Sequence, residues 1–199
     1  MRRLLSALCA VGLLAGCATE PLPDYRYYRP LPPQAVQALA SPKLVGGLVV
    51  DAFRARGVLS ERPILYANAE QPQRLLQYHY QLWIDPPGAI LQRRFVDLLS
   101  NYRVAEYVSD RASPRAEPAM LTGEIERFER VKHAAGWRII VGLRIRIEAP
   151  RSAAPILDKY YEESREVAAD NLSESVDGFG AAIDAIAARL VVDLPSASK

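Results

Sequence analysis

Proton transfer and nucleophilic attack near neutral pH need side chains that can be tuned there, and this chain offers few. Among its 199 residues are two His and two Cys, beside 23 acidic residues. His79 lies between Tyr78 and Tyr80, and His133 stands beside the turn candidate Ala134-Ala135-Gly136. Both are read as structural or surface histidines. There is no Gly-x-Ser-x-Gly elbow, no His-Glu-x-x-His pair, no phosphate-binding glycine loop and no Cys/His cluster. A zinc site takes about four N, S or O ligands, and these counts leave only carboxylates to help. Glu162-Glu163 and Glu124/Glu126 could pair as acid and base, as in glycosidases, but they fit the solvated faces of strands better. The expectation is a chain with no catalytic residue, no metal and no cofactor.

Cys17 is the exception. Met1-Arg2-Arg3 is a short basic start, and residues 4–13 form an apolar run too short to span a bilayer as a helix, which takes about 20 residues. Leu14-Ala15-Gly16-Cys17 follows at once. Small residues let a signal peptidase approach, and the Cys17 sulfur can carry a thioether-linked diacylglycerol. The pattern resembles bacterial lipoprotein precursors. Residue 18 is Ala rather than Asp, which by that resemblance implies the outer membrane, with the domain facing the periplasm. Removing residues 1–16 takes away Arg2 and Arg3 and no acid, so 25 − 2 = 23 basic residues face 23 acidic ones. A protein that binds nucleic acid through phosphate neutralisation wants a basic surplus, so no nucleic-acid partner is expected. One of the two Cys leaves with the signal, and no intramolecular disulfide can form.

The elements that would carry any site follow from pattern. Five of the fifteen prolines fall between residues 21 and 33, which suits an extended tether. Tyr25-Arg26-Tyr27-Tyr28 interrupts it with residues that favour a short first strand. Strands are predicted over 44–50, 62–67, 76–84 and 105–108. In the third, Tyr78, Tyr80, Leu82 and Ile84 share one face and Trp83 lies on the other. Asp85-Pro86 reads as a helix cap followed by proline at the first helical position, with Leu91, Phe95, Leu98 and Leu99 on the apolar stripe. A hairpin is predicted over 120–149, closed by Ala134-Ala135-Gly136. That loop sets Ile125 opposite Ile145, Glu126 opposite Arg144 and Glu124 opposite Arg146, so the two arginines are satisfied by glutamates rather than by lipid phosphates. A third antiparallel strand covers 155–167. A closing helix then buries Val176, Phe179, Ile183, Ile186 and Leu190, with Asn171 or Ser173 as its cap.

The fold class is therefore α+β: a single domain with a mainly antiparallel sheet and two packed helices, after a signal and a Pro-rich tether. The divisions are 1–16 for the signal, 17–40 for the lipidated N-terminus and tether, and 41–195 for the domain. Ten tyrosines are many. Tyr78, Tyr80 and Trp83 could supply a partner interface, although packing within the domain explains them more simply.

Two segments resemble the ABC-type transport auxiliary lipoprotein family. One is Glu61-Arg62-Pro63-Ile64-Leu65-Tyr66. The other is Gln77-Tyr78-His79-Tyr80-Gln81-Leu82-Trp83-Ile84-Asp85-Pro86-Pro87. The resemblance implies a lipid-anchored periplasmic component of a system with an ABC ATPase, a permease and an MCE-domain (mammalian cell entry) protein. Such systems move phospholipid or other hydrophobic molecules between inner and outer membranes, and the family brings no catalytic residues. Two readings stay open beside it: an outer-membrane assembly or lipopolysaccharide-transport lipoprotein serving a β-barrel partner, and an anchored hydrolase using carboxylates. A homo-oligomer is open too.

Overall fold

The computed structural model describes residues 23–111, 117–167 and 171–195, so Cys17 and the signal lie outside the described residues. In chain order the elements are β1 (Arg26–Tyr28), β2 (Gly47–Val50), a 3-10 turn (Gly57–Ser60), β3 (Pro63–Asn68), β4 (Gln71–Trp83), α1 (Pro87–Tyr102), β5 (Tyr107–Ser109), β6 (Ala119–His133), β7 (Gly136–Glu148), β8 (Leu157–Val167) and α2 (Leu172–Asp193). Eight strands form one open sheet and two helices pack on it, the α+β architecture that the patterning predicts.

Strand β6 is the spine. Its full length pairs antiparallel with β7, which pairs antiparallel with β8. Its other edge is shared. β2 runs parallel to it at Ala119–Leu121 and β3 runs parallel at Glu129–Lys132. β4 continues antiparallel beyond β3, and the short β1 and β5 lie parallel to β4 and β2. Antiparallel pairing thus holds the long strands, and the four parallel pairings are short.

The predicted hairpin forms with a different register. Its turn has two residues, Ala134 and Ala135, so His133 pairs with Gly136 instead of facing Trp137. Gly136 adopts φ +143°, outside the range a side chain accepts comfortably. Between Ile125 and Arg127 the register then shifts by one residue. Ile125 therefore faces Leu143, and Glu124 faces Arg144. The cause is packing. Ile125 and Phe128 are both buried, three residues apart, which alternation forbids in a regular strand. An extra residue at Glu126 turns Phe128 back toward the core.

On β7, Trp137, Ile139, Val141, Leu143, Ile145 and Ile147 all turn inward. Over them lies α2, capped by Asn171, whose Oδ1 accepts from Ser173 N at 2.9 Å. Phe179 meets Trp83 edge-on at 5.1 Å and Phe128 at 4.6 Å. α1 starts one residue later than predicted: Pro86 takes the cap position and Pro87 the first turn. Asp85 is released to pair with Arg93 at 2.6 Å. Gly88 allows the close approach of the loop after β2, because a Cβ there would lie 2.2 Å from the Phe53 carbonyl oxygen.

Phe179→Ala removes the ring that joins helix to sheet. Such truncations cost about 3–5 kcal/mol, so thermal denaturation should show a Tm lower by roughly 10 °C.

Candidate functional site

The outer face of β6, β7 and β8 bears alternating charge. Arg146 spans Glu148 (2.7 Å) and Asp158 (2.9 Å), and Arg144 spans Glu126 (3.3 Å) and Asp158 (3.5 Å). Arg138 and His133 share Glu166 at 2.5 and 2.8 Å, and Arg127 reaches Glu129 and Glu162 at 2.7 and 3.6 Å. Despite the changed register, the arginines singled out in the sequence do meet carboxylates. Exposed pairs of this kind contribute about 0.2–1 kcal/mol each, so the ladder sets alignment more than stability.

The Glu166 carboxyl is held below its usual range by hydrogen bonding from Arg138 and then from His133. Asp193, at the end of α2, is likewise lowered by Lys159 and then Tyr161, both 2.8 Å away. Burial first, then Asp193, pushes the Tyr161 phenol upward. Glu129 is the buried carboxylate among the described residues, and it accepts from Arg127 and from the Phe128 N–H. Among the described residues no group of three or more His, Cys, Asp or Glu side chains is placed to hold a metal ion.

The three aromatic candidates separate. Trp83 is 1% exposed, in the core between Phe128 and Phe179, and cannot meet a partner. A register shift of β4 against β3 moves it to the helix side. Tyr78 is half-buried: its ring stacks on Tyr66 at 4.6 Å, and Arg130 donates to its hydroxyl at 3.1 Å. The same guanidinium lies 3.6 Å over the Trp137 ring. Arg130 had no signal in the alternation, because the bulge at Glu126 decides which way it points. Tyr80 packs on Tyr25 at 5.4 Å, beside the outermost strand.

That strand introduces the feature alternation did not show. From Tyr25 onward the segment expected to be a free tether is docked. Ile84 N donates to Tyr28 O at 2.8 Å, and the Tyr28 hydroxyl to Gln81 at 2.7 Å. Arg94 grips Asp184 of α2 through two hydrogen bonds of 2.6 and 2.8 Å and donates to the Leu31 carbonyl. Leu39 N reaches Tyr102 O, and Lys43 and Leu44 reach Val104 O, each at 2.9 Å. A cleft of about 560 Å³ opens between this segment and α1, lined by Arg29, Leu31, Ile84, Arg93 and Asp97 among others. Leu31 (66% exposed) and Ile84 (42%) present apolar surface in it, and Tyr25 (60%) and Tyr27 (57%) are exposed on the same N-terminal segment.

The fold recurs in solved proteins. A Xanthomonas campestris protein of the DUF330 family superposes with a TM-score of 0.69 at 17% identity, over 83% of this chain and 92% of its own. A second, uncharacterised protein gives 0.68 at 12% identity, over 86% and 99%. A hypothetical protein from Chlamydia trachomatis gives 0.50 at 13%, over 74% and 96%. At these identities the likeness is one of fold. No family model and no curated protein matches the sequence. Among the described residues no helix is long and apolar enough to cross a membrane.

Two outcomes follow. Asp184→Ala leaves the Arg94 guanidinium buried without its carboxylate and should cost about 3 kcal/mol in denaturant unfolding, partly recovered in the Arg94→Met/Asp184→Leu double variant. Asp193 has a folded-state pKa below its unfolded one, so its contribution is present above about pH 4 and fades as pH falls through the folded value. Stability measured against pH should therefore drop less steeply in acid for Asp193→Asn than for the parent.

Proposed function

We propose that this chain is a lipid-anchored envelope protein that performs no turnover and serves as a partner in an ABC/MCE-type transport system. The observation that carries the reading is Leu14-Ala15-Gly16-Cys17 behind a basic, apolar start. The resemblance to ABC-type transport auxiliary lipoproteins, the PqiC-like group, supplies the partners: an MCE-domain protein with its permease and ATPase. The cargo class would be phospholipid or other hydrophobic molecules crossing between inner and outer membranes. The likeness in fold to the DUF330 protein is compatible with it.

Chemistry supports a role without catalysis. The carboxylates of the outer face are opposed by guanidinium groups, and the Glu166 carboxyl, held below its usual range by Arg138, is the reverse of what a general acid at neutral pH requires. One acyl chain gives only marginal membrane attachment and two give a stable anchor, so a diacylglycerol on Cys17 would suffice to hold the domain. Ala18 after the cysteine favours the outer membrane by the same resemblance.

Cys17→Ser should leave the domain folded but release it from the membrane fraction, and should fail to complement an envelope-permeability defect. Single exposed-Glu variants that keep the fold should complement. Co-purification of the parent with an MCE-domain protein is the expected partner result. Co-purification with a β-barrel protein instead would favour the assembly reading. Full rescue by Cys17→Ser would overturn the anchored role.

A further inference from the structure

We infer that β1 and its flank form a membrane-facing surface, docking this edge of the domain onto the bilayer interface. The inference rests on lipidation of Cys17, proposed above. Tyr27 on the outermost strand and Tyr25 just before it are exposed and held in place. Tyr25 leans on Tyr80, and the Arg62 guanidinium lies 5.1 Å over the Tyr27 ring. Leu31 and Ile84 extend the apolar surface, and Arg26 and Arg29 stand exposed on the same segment, with Asp24 the acid beside them. Tyrosine with an apolar ring and a wet hydroxyl is the residue of membrane–water interfaces, and arginine beside it suits anionic headgroups.

Chain length supplies the occupant. Cys17 and Tyr25 are eight residues apart in the sequence. Even fully extended, eight residues span at most about 26–29 Å. A domain of this size is about 40 Å across, from the radius of gyration expected for its length. The docking of residues 25–44 leaves no further slack, since β1, Leu31, Leu39 and Leu44 are each tied to the fold. The connection is shorter than the domain is wide, so the edge where the chain enters is the edge turned toward the acyl chains.

The full acylated protein can test this with a reporter at each end. Tyr27→Trp places an indole on β1, while Val192→Trp places one on the exposed end of α2. Val192 lies twelve residues along α2 from Gly180, the helix position whose Cβ would meet Pro30, or about 18 Å at 1.5 Å per residue. Trp83 and Trp137 are buried and give both variants the same background. Each variant is reconstituted on vesicles of phosphatidylethanolamine and phosphatidylglycerol doped with dibrominated phosphatidylcholine. Interfacial groups sit about 5–10 Å into the headgroup–acyl boundary, so Tyr27→Trp should lose roughly half of its added emission and Val192→Trp none. Equal quenching at both positions, or none at position 27 in acylated, vesicle-bound protein, overturns the orientation. Mass spectrometry showing Cys17 without acyl groups overturns the anchor, and the docking surface with it.

Discussion

Three aromatic rings hold the architecture together: Trp83 at the end of β4, Phe128 in β6 and Phe179 in α2, all nearly inaccessible to solvent. They come from the branch of the sheet carrying β3 and β4, from its spine, and from the helix covering β7 and β8. Burying a ring of this size contributes about 1.5–3 kcal/mol, against about 0.2–1 kcal/mol for any one exposed ion pair of the outer ladder, and the edge-on and tilted ring contacts add direction to that burial. Other placements follow from this contact. Phe128 can reach it only if β6 carries an extra residue, and Trp83 only if β4 shifts register against β3. α2, pinned at Phe179, then offers Asp184 to Arg94 of α1.

Much of this was legible in the residues. The β6–β7–β8 meander, both helices and the closing helix's buried stripe follow from periodicity, because strong alternation and strong 3.6-residue spacing leave little choice. What periodicity cannot show is where it is broken. Ile125 and Phe128 have opposite parity, and one extra residue at Glu126 reconciles them. Arg127 and Arg130 look equally exposed on paper, yet the bulge turns one outward to Glu129 and Glu162 and the other inward over Trp137. Trp83 is an interface candidate by its aromatic chemistry, but its burial too depends on a break in periodicity. Alternation sets it on the face opposite Tyr78 and Tyr80, and the register shift of β4 against β3 brings it to the core instead.

Proline misled in a different way. Five prolines in thirteen residues describe backbone preference, not docking, and an extended chain may be free or laid along a surface with equal ease. The groups that decide between these states are remote in sequence: Gln81, Arg94, Tyr102 and Val104 each receive or donate a hydrogen bond from the N-terminal segment. No local rule could have located them. The pairing of Arg144 with Glu126 survived the wrong register because long side chains reach diagonally across a sheet, so complementary charge was a sounder guide than alignment.

The grip of Arg94 has a mechanical side. A pull on the N-terminal end of the described chain arrives first at β1, whose hydrogen bonds to β4 lie across the strand direction, and next at the Leu31 carbonyl held by Arg94. Arg94 passes that force to Asp184, and so into α2 and the ring cluster beneath it. Tension on the described chain is therefore borne first by β1 and then by one guanidinium, which delivers it to the middle of the domain. Resistance to such a pull is governed by how fast the native state opens rather than by its equilibrium stability. A protein tied down at one end and drawn upon at the other would feel the loss of this arginine sooner under load than at rest.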